Sequence, residues 1–187
     1  MKIILLRHGK PVMPSINKIS ASEFLSWVKK YDASGLCTTS KPSMQAINCV
    51  KNSKAIVCSK LPRSIESAKA LNSEAIILSS SLFNEAGMPS ANWHALKVSP
   101  KIWAPLFRLF WLFGYSNNSE SFQEAKSRAK EAVIKLTEIA HEQESVVFVG
   151  HAIFNRILAN ELRRSGWSGP KNPGTKHWSF GVYALKK

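Results

Sequence analysis

Five short apolar segments along the chain predict β-strands. They are KIILL at residues 2–6, AIVCS at 55–59, AIIL at 75–78, SVVFVG at 145–150 and FGVYAL at 180–185. The first four are continuous apolar runs rather than alternating ones, which is typical of strands that are covered on both faces. The last segment predicts an edge strand.

Helical patterns separate these segments. Ser20 is followed three residues later by a glutamate, and Phe24, Leu25 and Val28 then share one face, which predicts a capped helix. Further helices are predicted over 63–71, 119–143 and 152–164. Strands that alternate with helices indicate an α/β protein: a three-layer α/β/α sandwich with a mostly parallel central sheet. We predict a single domain over residues 1–187, with a helical insertion at about 86–119.

The charge balance is unusual: the chain has 26 lysines and arginines but only 12 aspartates and glutamates, which gives a net charge of +14. Such an excess attracts anions: nucleic acid, anionic lipid or a phosphorylated small molecule. A basic surface that merely keeps the protein in solution accounts for the charge equally well.

The cysteines and the apolar segments indicate a cytoplasmic protein. Cys37, Cys49 and Cys58 have no metal-ligand spacing, so neither a disulfide framework nor a zinc site is expected. The first apolar run is too short for a secretory signal, and the apolar stretch 102–114 is too short for a membrane span and contains Arg108.

Charged and imidazole side chains follow the predicted strands. Arg7 and His8 end the first strand, Arg63 begins the helix after the second, and His151 ends the SVVFVG strand. Glu85 lies in a loop after the AIIL strand. Ligands of parallel sheets bind beyond the carboxyl ends of the strands, so these side chains are expected to share a site. A surface carboxylate is the ordinary interpretation of Glu85 taken alone.

This set of side chains suits phosphoryl transfer. Arginines are bidentate donors to phosphate oxygens, and a helix that begins after His151 would add backbone N–H donors. A neutral imidazole can attack phosphorus, and a carboxylic acid can protonate the leaving oxygen. The guanidinium groups would supply the charge stabilisation that a metal ion gives elsewhere. The residues alone do not decide whether His8 or His151 is the nucleophile.

Four segments resemble the histidine phosphatase superfamily, which is also called phosphoglycerate mutase-like. They are LLRHGK at 5–10, CSKLPRSIESAKAL at 58–71, LFNEAG at 82–87 and VVFVGHAIFNRIL at 146–158, in the order and spacing of the family. The segment 120–129 is similar to the helix that precedes the family's last site strand.

The resemblance implies a role for each residue. His8 would be the nucleophile that becomes phosphorylated, and Arg7, Arg63 and His151 would hold the phosphoryl group. Glu85 would protonate the leaving group and then activate water. A site of this kind needs no metal ion, and we expect neither a metal nor a cofactor here. Lys10 stands where many members carry a residue of another type, and we expect its side chain to point to solvent.

The insertion favours a hydrolase over a mutase. The cofactor-dependent mutases of the family carry a larger helical insertion, since a mutase must shelter its phosphoenzyme from water. Here the insertion is short and rich in aromatic residues, with Trp93, Trp103 and Trp111 among the six tryptophans of the chain. It is interpreted as a helix pair packed on the domain, as a lid or wall that receives an apolar leaving group, or as a surface helix touching lipid.

The prediction is therefore a metal-independent phosphomonoester hydrolase that acts through a phosphohistidine on a small phosphorylated substrate. Two alternatives remain: a phosphatase of phosphohistidine or phosphotyrosine in proteins, and a non-catalytic polyanion-binding module. No specific nucleic-acid partner is expected, because the basic residues are scattered and no RNA-binding motif is present. Peripheral membrane contact by residues 102–113 is a further possibility, and no pattern fixes an oligomeric state.

Overall fold

The computed structural model describes residues 1–15, 17–72 and 75–185, which form a mixed sheet covered by helices. The strands are β1 Lys2–Arg7, β2 Ala55–Cys58, β3 Ile76–Ser79, β4 Ser145–Gly150, β5 Trp167–Ser168 and β6 Phe180–Leu185. The helices are α1 Ala21–Asp32, α2 Met44–Val50, α3 Pro62–Leu71, α4 Pro100–Leu112, α5 Phe122–Gln143 and α6 Ala152–Arg164, with a short 3-10 helix at Ser81–Phe83.

The sheet has the order β3-β2-β4-β1-β6-β5. The pairs β3–β2, β2–β4 and β4–β1 are parallel, and β6 and β5 add to the β1 edge in antiparallel orientation. The carboxyl ends of β1, β4 and β2, which are neighbours, therefore lie at one edge of the sheet. The predicted fold class, a mostly parallel sheet flanked by helices, is confirmed.

Both faces of the central strands are buried, which explains their continuous apolar sequences. Ile3 and Leu5 of β1 point into a core shared with α5 and α6, while Ile4 and Leu6 point into a second core shared with α2 and α3. Successive side chains of a strand alternate between the two faces, so a strand covered on both sides needs apolar residues throughout.

The third apolar cluster lies outside the sheet and joins α1 to α4. Phe24 of α1 stacks on Phe107 of α4 with ring centroids 5.3 Å apart, and Trp103 is also buried there. The predicted cap of α1 is present, because Ser20 and Glu23 bond each other's backbone N–H in a capping box. This cluster fixes two helices beside the edge of the sheet where the strands end.

Four features differ from the sequence interpretation. The segment 180–185, predicted as an edge strand, forms β6, which lies between β1 and the two-residue strand β5. β3 was expected to be covered on both faces, but Ile76 and Leu78 are 62% and 45% exposed because β3 is the edge strand. The insertion contains one helix, α4, rather than a pair, and residues 84–99 before it are irregular. The short elements α2 and β5 were not predicted. The prediction of a single domain with an insertion at about 86–119 stays a prediction.

Candidate active site

The five side chains that the sequence singled out come together at the carboxyl edge of β1, β4 and β2. Arg7, His8, Arg63 and Glu85 line one cavity of about 610 Å³. His151 lies behind them, with its ring centroid 5.0 Å from that of His8 in an edge-to-face arrangement. The parallel pairing of the three strands is what places residues so distant in sequence side by side.

His8 is held as a neutral imidazole with a defined tautomer. Its Nδ1 lies 2.6 Å from the carbonyl oxygen of Gly9. A carbonyl oxygen only accepts hydrogen bonds, so Nδ1 carries the proton and the lone pair of Nε2 is left free. Burial lowers the pKa of His8 to about 3, and Arg63 and Arg7 add to the lowering against the opposing Gly9 hydrogen bond. Nε2 is thus an uncharged nucleophile at neutral pH.

Gly9 is required by packing behind His8. A Cβ atom at this position would come within 2.3 Å of the Trp178 ring and 2.6 Å of Leu36. The Gly9 N–H donates to the Ser67 hydroxyl at 2.9 Å. The sequence interpretation assigned Gly9 to a close approach of the backbone to a bound anion; the contacts show that an indole ring occupies the adjacent space instead.

His151 presents a ring nitrogen toward the same region. Its Nε2 lies 2.8 Å from the Ser59 hydroxyl, and that hydroxyl also accepts the Leu61 N–H at 3.2 Å. An oxygen that already accepts the Leu61 N–H can donate its own proton to Nε2, which leaves the proton of His151 on Nδ1. Burial, with His8 and the arginines, lowers the pKa of His151 well below its ordinary value, so the ring is neutral.

The two arginines come from different elements, Arg7 from the end of β1 and Arg63 from the first turn of α3. Arg63 is buried, donates to Asp32 at 3.0 Å and to the Tyr31 carbonyl at 3.1 Å, and stacks on the Tyr31 ring at 4.6 Å. Arg7 donates through Nη1 to the Thr175 carbonyl. Burial lowers the pKa of Arg7, which reflects a cation withdrawn from water.

Three donors around His8 lack a partner. Among the residues that the structure describes, the buried side-chain nitrogen and oxygen atoms with no hydrogen-bond partner are Arg7 Nε, Arg63 Nε and His151 Nδ1. Buried polar groups are almost always paired, because each one left unpaired costs about 1–3 kcal/mol. Three unpaired donors beside one imidazole form a site that is suited to an anion with several oxygens.

Glu85 lies at the N-terminus of α6. Its Oε1 accepts the Phe154 N–H and the Ala86 N–H, both at 2.9 Å, while Oε2 accepts only a longer bond of 3.4 Å from Ile153. The positive end of the helix dipole favours a carboxylate here. The sequence interpretation assigned the N–H groups of this helix to phosphate, and that was wrong for Ile153 and Phe154, because Glu85 occupies them.

The Glu85 loop is held by two further arginines. Arg128 of α5 donates to the carbonyl oxygens of Leu82 and Asn84 at 2.8 and 3.0 Å. Arg108 of α4 donates to those of Gly87 and Ala86 at 2.8 and 3.1 Å. The carboxylate position is therefore fixed by α4, α5 and α6 together.

Comparison with protein families identifies the superfamily of the chain. The family model of the histidine phosphatase superfamily, branch 1, matches residues 45–183, which include Arg63, Glu85 and His151. The chain belongs to the histidine phosphatase superfamily. The predicted membership is confirmed, and at this level so is the prediction of a phosphatase. Comparison with curated protein sequences finds no significant match.

Solved structures of similar fold include several phosphatases. The product of open reading frame Rv3214 of Mycobacterium tuberculosis superposes with a TM-score of 0.63 at 17% identity, over 99% of this chain and 91% of that one. Mycobacterial glucosyl-3-phosphoglycerate phosphatase gives 0.63 at 17% identity, over 97% and 88%. A putative alpha-ribazole-5'-P phosphatase of Escherichia coli gives 0.55 at 18%, over 88% and 78%. At identities this low, the superpositions establish a shared fold and nothing beyond it.

In this member of the superfamily the site includes residues that the sequence reasoning missed. The His177 ring lies 5.7 Å from the His8 ring, and burial, with Arg7 and Lys10, lowers its pKa to about 4. Asp32 and Tyr31, at the end of α1, hold Arg63. Of these three residues, only His177 could have been suspected from the sequence, because it is an imidazole in the Gly/Pro-rich loop that leads into β6.

Two further expectations concern the orientation of Lys10 and contact of α4 with a membrane. Lys10 is exposed and its backbone N–H donates to Ser40, so the expected orientation toward solvent is consistent with the structure. None of the described helices has the length and apolar character that crossing a bilayer requires. Peripheral contact through residues 102–113 stays a prediction; the outer face of α4 exposes Ile102, Leu109 and Leu112, followed by Phe113.

Proposed function

We propose that the protein is a metal-independent phosphomonoester hydrolase that acts on a small phosphorylated molecule through a phosphohistidine at His8. The observation that carries this proposal is the set of three unpaired buried donors, Arg7 Nε, Arg63 Nε and His151 Nδ1, around the free Nε2 of His8. A phosphoryl group placed there gives each donor an oxygen partner and places phosphorus beside the nucleophile.

In the first step His8 Nε2 attacks phosphorus and the bond between phosphorus and the ester oxygen breaks. Glu85 gives its proton to the departing oxygen, so the alcohol leaves neutral. Oε2 is the oxygen for this proton, because Oε1 already accepts two short N–H bonds whereas Oε2 accepts one long bond. Arg7, Arg63 and His151 donate to the phosphoryl oxygens, where negative charge accumulates.

In the second step water attacks phosphorus from the side that the alcohol has left. Glu85, now ionised, takes the water proton, the bond between phosphorus and Nε2 breaks, and inorganic phosphate departs. The Phe154 N–H at the start of α6, and the bonds from Arg108 and Arg128 to the loop carbonyls, hold the Glu85 carboxyl group in place for both steps. One carboxyl group therefore serves as acid and then as base.

Two observations favour small-molecule hydrolysis over the alternatives. The cavity is bounded by α1 and α4, which restricts access for a folded protein substrate. A carboxylate among the cationic groups would repel a polyanion that is merely bound, whereas it has a use in catalysis. The short insertion, with its single helix α4, also favours a hydrolase over a mutase, since it shelters the phosphoenzyme less from water.

The test is hydrolysis of p-nitrophenyl phosphate in excess EDTA. We expect turnover in the wild type and a fall to background in His8→Ala, with His141→Ala, an exposed histidine of α5, as the matched control. Turnover that EDTA abolishes, or that His8→Ala retains, would exclude the proposed mechanism.

The role of Glu85 is tested by comparing leaving groups. In Glu85→Gln, kcat/KM for an alkyl phosphate, which reports the first step, should fall by about 10²–10⁴. The kcat/KM for p-nitrophenyl phosphate should fall less, because p-nitrophenolate leaves without a proton. Glu142→Gln, the same substitution at an exposed position of α5, controls for the change of charge. Equal losses on both substrates would remove Glu85 from the role of acid.

A further inference from the structure

The cavity above His8 has two ends of different chemistry. The inner end is formed by Arg7, His8, Arg63 and Glu85, and the outer end lies between α1 and α4. Its volume of about 610 Å³ is within the range of cavities that enclose whole small molecules, about 300–1,000 Å³. A phosphate group fills only the inner end, so the outer end must receive the alcohol part of the substrate.

The α1 wall of the outer end is apolar and largely aromatic. Phe24, Trp27, Val28 and Tyr31 follow one another at helical spacing on a single face of α1. The Trp27 and Tyr31 rings lie nearly parallel, 5.6 Å apart and inclined by 6°. Trp27, Val28 and Tyr31 present an apolar surface to the cavity that ends at Arg63, which stacks on Tyr31, while the fully buried Phe24 packs against Trp27.

The opposite wall is formed by α4. Ala104 and Pro105 face the cavity, the long side chains of Lys101 and Arg108 also line it, and Met88 closes it at the Glu85 loop. Because Ala104 and Pro105 are small, space stays open between the two helices although both are rich in large residues. Methionine adapts its shape to apolar ligands.

Most polar side chains of the described cavity lining already have partners within the protein. Asp32 is paired with Arg63, Arg108 donates to the loop carbonyls, and Asn84 accepts the Lys60 N–H at 3.1 Å. The Trp27 N–H donates to the Ser15 carbonyl at 2.7 Å. A sugar or another polyol would bury several hydroxyl groups here with few free partners, Lys101 and the Tyr31 hydroxyl among them, and each hydroxyl left unpaired has a cost.

We propose that the substrate is the phosphate monoester of an apolar alcohol, aromatic or branched aliphatic, whose hydrocarbon part lies between α1 and α4. This inference rests on the proposed function and specifies its leaving group. The phosphoryl group binds at Arg7, Arg63 and His151, and the ester oxygen lies toward Glu85. Binding of the hydrocarbon removes it from water and aligns phosphorus with His8 Nε2.

The test compares two matched series of substrates in EDTA. Monoalkyl phosphates of increasing length are compared with analogues of equal length that carry a terminal hydroxyl. We expect kcat/KM to rise by up to about fourfold per added methylene in the alkyl series, until the cavity is filled. The kcat/KM of each hydroxylated analogue should be at least tenfold lower than that of the alkyl phosphate of equal length, because its hydroxyl group is buried without a hydrogen bond.

A pair of variants on α4 tests where the hydrocarbon binds. Ala104→Phe fills the space between the helices, so its loss of kcat/KM should grow with alkyl length. Leu109→Phe places the same ring on the exposed side of α4 and should leave the length dependence as in the wild type.

Two results overturn the inference. If kcat/KM is independent of alkyl length while p-nitrophenyl phosphate is still hydrolysed through His8, the apolar alcohol is excluded and the proposed function stands. If phosphate esters of polyols are the better substrates at equal length, the assignment of the outer end is wrong. Absence of hydrolysis for every ester, with no phosphoenzyme formed, would exclude the proposed function itself.

Discussion

The neutral state of His8 results from its surroundings rather than from its residue type. The ring is only 2% exposed, and it faces the side chains of two arginines, which both disfavour an imidazolium. The Gly9 carbonyl favours the charged form but does not offset burial, and the pKa is about 3. The same carbonyl selects the tautomer that leaves Nε2 free. An imidazole in this state can act as a nucleophile without first giving up a proton to a base, as the proposed mechanism requires.

This environment predicts a loss of stability in mild acid. The pKa of His8 falls from its ordinary 6.5 to about 3 on folding, so between these values the unfolded chain binds a proton that the folded chain does not. Stability therefore falls as the pH drops below about 6.5, by roughly 2 kcal/mol between pH 7 and pH 5 from His8 alone. Urea unfolding of His8→Gln should show a pH dependence weaker by that amount.

His141→Gln, which removes an exposed histidine, should leave the pH dependence as in the wild type. An unchanged slope in His8→Gln would show that His8 is not held neutral by the fold.

The sequence could predict which residues meet at the site, but only part of what each one contacts. His8 and His151 directly follow buried strands, and Arg63 lies at the start of the helix after β2, so the strand pattern predicts that they meet at one edge. The His177 position depends on how the loop before β6 folds back, and local patterns do not encode that. Nor could they show that Glu85 occupies the N–H groups of α6, since this contact joins residues far apart in the chain.

At the scale of elements, helix ends position the groups that we propose to be catalytic. The N-terminus of α6 holds Glu85, and the end of α1 holds Arg63 through Asp32. Central strands with continuous apolar sequences were predictable, whereas the edge strand β3 was not distinguishable from them, because exposure depends on its place in the sheet. β5, with two residues, is too short to carry a period.

The ion pair at the end of α1 predicts a variant that phosphate rescues. Arg63 is 1% and Asp32 42% exposed, so Asp32→Asn leaves a buried cation without its partner. Because Asp32 is partly exposed and solvent screens the pair, the expected loss of stability is only about 1–2 kcal/mol. This corresponds to a fall of about 2–8 °C in Tm. Inorganic phosphate should raise the Tm of this variant more than that of the wild type, because it replaces the missing anion.

Glu138→Gln provides the control, because it removes an exposed ion pair with Lys135. An equal effect of phosphate on wild type and Asp32→Asn would contradict the placement of Arg63 in the phosphate site.

The whole molecule carries a net charge of +14, and the candidate site is among its cationic regions. Such a field raises the local concentration of a dianionic substrate and acts at distances that salt screens. The charge thus supports substrate capture without any basic binding motif, which is why composition alone could not separate an enzyme from a polyanion-binding module.

We therefore expect kcat/KM for a phosphomonoester to fall several-fold between ionic strengths of about 0.01 and 0.2 M, with kcat nearly constant. Chloride and acetate salts at equal ionic strength should give the same curve, since screening depends on ionic strength rather than on the identity of the anion. A flat profile would show that the net charge does not contribute to capture.

The most direct test of the account is to isolate the phosphorylated intermediate. Glu85→Gln, mixed with p-nitrophenyl phosphate and quenched in base, should accumulate an enzyme whose phosphoryl group is on Nε2 of His8, because formation needs no acid and hydrolysis lacks its base. The group should be lost in acid, and it should be absent from His8→Gln. A phosphoryl group on another residue, or steady turnover with His8 unmodified, would contradict the account.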